Sequence, residues 1–166
     1  MKGHRRGQQG AILVLTAFLL PFIIAFTGMA VDFGSAYVRR SQLQNAADAA
    51  VLAGAYQIDD SNKTKNTVES YLKTNLGKIY DEYTLQDGQD FPLNENVLNY
   101  NYTISDKKDT LDVTVRSSLN TYFLKLFSVD TIPVSANAKA KVTINNTSVN
   151  DDMFNYAMVA AHKSAS

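Results

Sequence analysis

The feature that most constrains this chain is an uncharged apolar run, residues 11 to 31, which reads AILVLTAFLLPFIIAFTGMAV. As a helix the run would extend over ~32 Å, close to the ~30 Å thickness of the hydrocarbon layer of a bilayer. It has no polar face, which a buried helix of a soluble domain would show, and it is longer than the apolar part of a secretory signal. The run therefore predicts a transmembrane helix over residues 11–31, although Gly28-Met29-Ala30 leaves cleavage by a signal peptidase open.

Basic residues flank this run unevenly. Lysine and arginine occur three times within residues 1–10, whereas only Arg39 and Arg40 follow the run closely. The positive-inside rule then predicts that residues 1–10 are a cytoplasmic basic head and that the C-terminal part of the chain lies outside the cytoplasm. The expected localisation is a cell membrane, crossed once.

Proline and small residues predict the shape and packing of this helix. Pro21 lacks a backbone N–H donor in the middle of the run, which predicts a kink. Beyond it, Gly28, Ala30, Gly34 and Ala36 form a stripe that would let a second helix approach closely. Small residues are also common in membrane helices in general, so the stripe alone leaves both interpretations open.

Residues 32–57 predict a helical stalk that continues the transmembrane helix to about Ala55. The segment after Asp32 has no proline and many alanines, which favour helix. Small and apolar residues recur at three- and four-residue spacings and form a narrow face suited to close packing against another helix. The residues of this face are Val38, Leu43, Ala46, Ala47, Ala50, Val51 and Gly54.

The pattern of Gly10, an apolar run with Pro21, and then GMAVDFGSAYVRRSQLQNAADAAVLAGA resembles the N-terminal region of TadE/TadG-like pilus-assembly proteins. These are pilin-like components of tight-adherence (Flp) pilus systems. The resemblance covers about residues 5 to 56, and its most specific part is LQNAADAAVLAGA with Asp32 and Tyr37 upstream. It implies a membrane-anchored, non-enzymatic component of a pilus or secretion assembly. The implied partners are the membrane, other pilus-assembly or envelope proteins, and further copies of the chain through the helix. The helix-packing or assembly candidates are Gly28, Asp32, Gly34, Tyr37, Leu43, Ala46, Ala47 and Ala50.

One departure from this resemblance concerns processing. Processed pilins of such systems resemble one another in a glycine before the cleavage site and a glutamate at the fifth mature position. A prepilin peptidase would here cut between Gly10 and Ala11, which puts Leu15 at the fifth position; a cut after Gly7 would put Ile12 there. Neither side chain offsets the charge of a new N-terminal amine inside an apolar bundle. We therefore expect poor cleavage or none, as for a TadG-like protein that keeps its anchor.

Residues 58–166 predict a small extracytoplasmic α+β domain of pilin-like architecture. Apolar residues at steps of three and four predict an amphipathic helix, which Gly77 either ends or continues through. Residues 87–96, DGQDFPLNEN, predict a loop. The apolar positions of the helix are Val68, Leu72, Leu76, Ile79 and Tyr83.

Strict alternation of apolar and polar residues then predicts about three antiparallel strands, the first two joined by a hairpin at DKKD. Pro133 suits the start of a strand or an edge strand. The small alanines of the third strand predict that a bulkier element, such as a helix, packs over them. The apolar faces are Leu98, Tyr100, Tyr102 and Ile104; Leu111, Val113 and Val115; and Ile132, Val134, Ala136, Ala138, Ala140, Val142 and Ile144.

Two further segments leave alternatives open. Between the second and third strands, NTYFLKLFSVD has an apolar helical face with Tyr122, Phe123, Leu126 and Phe127, which suits a short core helix or a knob for docking a partner. The small size of the domain favours the core helix. The apolar tail, residues 153–166, suits an added strand or the start of a longer segment.

The composition excludes several classes of function. The chain has no cysteine, and its two histidines, His4 and His162, lie near its ends. Lysine and arginine number 16, as do aspartate and glutamate, so no basic excess favours nucleic acid. The acidic loop 87–96 does not have the spacing of a calcium-binding EF-hand. We therefore predict no catalytic residue, no cofactor and no metal. The alternative function is the anchor region of a longer surface protein, with an adhesive or enzymatic domain beyond Ser166.

Overall fold

The computed structural model describes residues 5–78 and 82–143. The predictions made for residues 1–4, for Ile79, for Ile144 and for the tail lie outside these residues. The chain order is a long helix, a second helix, two strands, a third strand, a short 3-10 helix and a last strand. This order confirms the α+β class with a long N-terminal helix, an amphipathic helix and a small sheet.

The first helix, α1, runs without a break from Arg5 to Ala55. It joins the apolar run and the stalk into one element, as the sequence predicts, and Pro21 lies inside it. Among the described residues, Gly10–Ala55 is the one helix long and apolar enough to cross a membrane, and its most apolar part is almost entirely exposed. The described side chains of the N-terminal half of α1 therefore do not belong to the hydrophobic core of the domain.

The C-terminal half of α1 is, by contrast, part of the core. Leu43, Ala46, Ala47 and Ala50 are fully buried. Because these side chains are mostly small, α1 lies close to both the second helix and the sheet. Gly54 is the tightest point, since a Cβ atom there would lie 2.7 Å from Val68 Cγ2 and 2.8 Å from Leu111 Cδ2.

The second helix, α2, runs from Ser61 to Leu76 and buries the predicted apolar face at Val68, Leu72 and Leu76. The prediction that this face continues to Tyr83 is wrong. The helix ends at Gly77, whose backbone N–H donates to the carbonyl of Lys73 at 2.8 Å. Tyr83 lies beyond the helix and folds back, because its hydroxyl donates to the same Lys73 carbonyl at 2.8 Å.

Within the described residues, four strands form one mixed sheet in the order β1-β2-β3-β4. The three predicted strands are β2 (Val97–Ile104), β3 (Thr110–Asn120) and β4 (Thr131–Lys141), and they pair antiparallel, with β4 at an edge. The strand that the sequence analysis missed is β1, Thr84–Asp87, which pairs parallel to β2. Its TLQD sequence is too short to show alternation, so a purely antiparallel three-stranded sheet was an incomplete prediction.

The buried face of the sheet carries the predicted alternating residues, and α1 covers β3 and β4. This confirms that a helix packs over the alanines of β4. Small residues of α1 meet small residues of β4, which brings the helix axis close to the sheet. The buried sheet residues are Leu98, Tyr100, Leu111, Val113, Val115, Val134, Ala136, Ala138 and Ala140.

The apolar segment between β3 and β4 does not form the predicted core helix. It is a single 3-10 turn, η1, from Leu124 to Phe127, of which only Leu124 is buried. Tyr122, Leu126 and Phe127 are 76 %, 80 % and 55 % exposed. A 3-10 turn of four residues presents too little of one face to bury all four predicted side chains.

The start of α2 offers a test of how this domain responds to acid. The backbone N–H groups of Lys63 and Asn62 donate to the Asp60 carboxylate at 3.2 and 3.0 Å, which holds the pKa of Asp60 below its ordinary value. A carboxyl with a lowered folded-state pKa stabilises the fold above its unfolded pKa, and this contribution is lost as the pH falls through the folded pKa.

We expect Asp60→Asn to flatten the acid dependence of stability from about pH 4 downward, since asparagine keeps a capping oxygen but does not titrate. The measurement is the urea midpoint of the full chain in detergent, at a series of pH values, for the variant and the wild type. Parallel curves for the two proteins would show that Asp60 does not contribute to the acid response.

Candidate functional site

The structure separates the predicted site residues into three groups. Four of them, Leu43, Ala46, Ala47 and Ala50, contact the chain's own α2 and sheet, so their close packing is intramolecular. An Ala47→Leu variant would therefore disturb the domain core rather than report on a partner. The second group is exposed, and the third lies against η1. The exposed residues are Gly10, Ala11, Pro21, Gly34 and Tyr37; the residues against η1 are Gly28 and Asp32.

Asp32 is the most unusual of these residues, because its carboxylate is buried at the end of the apolar run. It is 2 % exposed. The backbone N–H groups of Tyr122 and Phe123 donate to it at 2.9 Å each, and that of Leu124 donates at 2.7 Å. These N–H groups belong to the start of η1 and have no partner within the turn. Asp32 therefore acts as a cap supplied by another element, about ninety residues away in sequence.

Gly28 lies one helical turn before Asp32 and faces the same segment. A Cβ atom at this position would lie 2.7 Å from Phe123 Cβ and still closer to its ring. Any side chain here would therefore push Phe123 away from the helix. The absence of a side chain at Gly28 and the carboxylate of Asp32 together let η1 dock directly on α1.

The docked segment, residues 121–130, is also closed by its own hydrogen bonds, and we call it the docking loop. The Thr121 N–H donates to the Asp130 carbonyl at 3.0 Å, and the Thr121 hydroxyl donates to the carbonyl of Val129. The Val129 N–H donates to the Leu124 carbonyl at 3.2 Å. Ser128 takes a left-handed conformation, φ 61°, which ends η1. The loop therefore closes through its own hydrogen bonds, and it contacts α1 at Gly28 and Asp32.

A second contact region lies further along α1. Arg39 Nη1 donates to Ser117 Oγ at 3.1 Å, which ties the helix to the end of β3. Beside it, exposed Tyr37 and Arg40 border an open recess of about 350 Å³ with the start of β4. The recess has no cluster of groups suited to catalysis, and within residues 5–78 and 82–143 no three His, Asp or Glu residues converge as metal ligands would.

The sequence analysis named Gly28 and Asp32 but not the surface they serve. Their spacing of four residues indicates that they share one face of α1. Nothing in the sequence of the docking loop indicates that its backbone N–H groups need a carboxylate from α1. The one signal in the sequence is an aspartate placed directly after an apolar run, where a carboxylate is costly unless a partner group binds it.

We compared the sequence with family models, curated proteins and solved structures. No curated protein and no solved structure gives a significant match to the chain. Residues 10–57 match the model of the family described as putative Flp pilus-assembly TadE/G-like. The matched range contains the apolar run, the Gly28–Asp32 pair and the part of α1 that enters the core. The resemblance read from residues 5 to 56 is therefore confirmed by a family model that matches residues 10–57, less than a third of the chain.

Proposed function

We propose that this chain is a membrane-anchored, non-enzymatic, pilin-like component of a tight-adherence pilus or a related secretion assembly. The observation that carries the proposal is the match of residues 10–57 to a pilus-assembly family, in the same residues that form α1. Half of that helix is apolar and exposed, and the other half is buried in the domain. Anchor and domain are thus joined by one element, as a structural subunit of a fibre or its base requires.

The geometry supports a positioning role rather than a chemical one. From Val31, the end of the apolar run, to Leu43, the first fully buried apolar residue of the domain core, the helix extends ~18 Å. Over this distance the docking loop and the Arg39 contact hold the helix against the domain. In this proposal the domain stands at a fixed height and orientation above the membrane, so that a partner in the assembly always meets the same surface.

The partners that we propose are other pilus-assembly or envelope proteins and further copies of the chain. The faces available to them are those that the chain does not use itself. Within residues 5–78 and 82–143, no atom beyond the adjacent helix backbone lies within 4 Å of where the Cβ of Gly34 would be, and Tyr37 is exposed. Both lie on α1 between the apolar run and the core, where a second helix would approach.

Limited proteolysis of intact spheroplasts, followed by mass spectrometry of the protected fragment, tests the anchor, its orientation and its processing together. We expect protease to remove the domain and to leave a membrane-bound fragment that contains residues 11–31, with the bond between Gly10 and Ala11 intact. Protection of the domain would show the opposite orientation, and a carbonate wash that releases the whole chain would refute the anchor. A mature N-terminus at Ala11 would instead identify a processed pilin.

A further inference from the structure

The docking loop has a surface that the proposed function leaves unused. Three of its large apolar side chains, Tyr122, Leu126 and Phe127, are each more than half exposed. A small domain rarely leaves a group of such residues in water without a use. Their position relative to the apolar run indicates what covers them.

The loop lies at the level of the apolar run rather than above it. Phe127 closes an apolar recess of about 420 Å³ whose other walls all belong to α1 within residues 21–29. Measured along the helix at ~1.5 Å per residue, this range lies from ~3 to ~15 Å inside Val31, the last residue of the run. If the run crosses a bilayer, the tip of the docking loop must therefore reach at least as deep as the boundary where headgroups meet acyl chains. The α1 residues of the recess are Pro21, Phe22, Ala25, Phe26 and Met29.

The backbone of the loop meets the requirement for such a position. Irregular backbone is costly near hydrocarbon unless its N–H and C=O groups have partners within the protein. Here the Asp32 carboxylate accepts the N–H groups of Tyr122, Phe123 and Leu124. The following turn closes on itself, with the Ser128 N–H donating to the Lys125 carbonyl at 3.1 Å.

The side chains of the loop suit the same layer. Tyrosine is enriched at the membrane–water interface, and a lysine beside it can place its ammonium among lipid phosphates while its alkyl stem stays in apolar surroundings. Tyr122 and Lys125 provide these two groups, and Leu126 and Phe127 provide the apolar ones. The combination fits a lipid surface better than a dry protein groove, in which the lysine would be buried.

We propose that the docking loop, residues 121–130, is a second membrane contact that inserts Leu126 and Phe127 into the interfacial layer of the bilayer beside the transmembrane helix. This inference rests on the proposed anchoring of the chain by residues 11–31. The loop and the anchor together would fix the tilt of the domain, because two separated contacts with one plane leave less rotational freedom than a single helix.

Site-specific fluorescence in vesicles tests the proposal, and the chain suits it because it has no native cysteine. Three single-cysteine variants of the full chain, Leu126→Cys, Leu93→Cys and Phe18→Cys, are labelled with an environment-sensitive dye. All three side chains are exposed: Leu126 in the docking loop, Leu93 in the loop between β1 and β2, and Phe18 in the apolar run. The labelled proteins are reconstituted into phosphatidylcholine–phosphatidylglycerol vesicles. These vesicles contain lipids with a nitroxide either near the headgroup or near the end of the acyl chain.

We expect the label at residue 126 to lose fluorescence with the nitroxide near the headgroup, the label at residue 18 to lose it with the deep nitroxide, and the label at residue 93 to be unaffected by either. Quenching at residue 18 but not at residue 126 would overturn the loop insertion and leave the anchor intact. No quenching at residue 18 would refute the anchor itself. A label at residue 126 that neither lipid nitroxide nor aqueous iodide quenches would show that a second protein chain covers the loop, which also overturns the proposal.

Discussion

Replacing Gly54 with leucine is expected to lower the free energy of unfolding of the domain by about 3 kcal/mol or more, which is a large part of the ~5–15 kcal/mol that holds a domain of this size together. The reason is steric. Even the first carbon of the new side chain would lie 2.7 Å from Val68 Cγ2 and 2.8 Å from Leu111 Cδ2, so either α2 or β3 must move. The gain in helix propensity is smaller, at most ~1 kcal/mol, and cannot offset the clash. Urea unfolding of the full chain in detergent, followed by near-ultraviolet circular dichroism of its tyrosines, measures the change.

Gly34→Leu is the matched control, because it makes the same substitution in the same helix. Among the described residues, no atom outside the neighbouring backbone of α1 lies within 4 Å of the Cβ position at residue 34. We expect its free energy of unfolding to stay within ~1 kcal/mol of the wild-type value, with any change in the direction of greater stability from improved helix propensity. Equal midpoints for the two variants would show that α1 does not approach α2 and β3 as closely as the structure has it.

Replacing Asp32 with alanine is expected to release the docking loop from α1 while the domain core stays folded. Three backbone N–H groups, those of Tyr122, Phe123 and Leu124, would lose their shared acceptor in a place that water reaches poorly. We expect their amide hydrogens to exchange at least ~10-fold faster in the variant, because hydrogen bonds to a charged acceptor are among the strongest in proteins. Hydrogen–deuterium exchange of the detergent-solubilised chain, read by mass spectrometry of peptides from residues 121–130, measures this.

Asp48→Ala provides the control for removing a carboxylate from α1. Asp48 is exposed and accepts a hydrogen bond from the side chain of Gln44 at 3.0 Å, one turn earlier in the same helix. Exchange in the docking loop should be unchanged in this variant. Slow exchange of the loop amides in Asp32→Ala would mean that packing of Phe123 against Gly28 holds the loop without the carboxylate.

The parts of the fold that the sequence predicted are those in which apolar residues follow a long, regular pattern. The uninterrupted helix to Ala55 follows from a run without polar breaks, and β2 to β4 follow from alternation over seven or more residues. The short strand β1 depends on its pairing with β2, and four residues are too few to show an alternation of apolar and polar side chains. The end of α2 at Gly77 likewise depends on contacts that form only in the folded domain.

The candidate site was predicted in part, for a related reason. Gly28 and Asp32 stand out in the sequence because they are a small and a charged residue at the end of an apolar run. Their partner could not be predicted, because Asp32 binds backbone N–H groups of residues 122–124, and such groups are present in every sequence. Leu43, Ala46, Ala47 and Ala50 are fully buried in the domain, but sequence periodicity alone cannot distinguish an intramolecular contact from one between chains.

The use of one helix as both anchor and core element has a consequence for biogenesis. Ribosomes complete α1 early, yet β4, which covers its buried face, is made only after residue 130. Until then the face from Leu43 to Ala55 is covered at most by α2 and β3, and nascent chains with exposed apolar surface are prone to aggregate. Alanine and glycine present far less apolar area than leucine or phenylalanine. The small residues allow close packing in the folded domain. They therefore also reduce the tendency of α1 to aggregate before β4 has been synthesised.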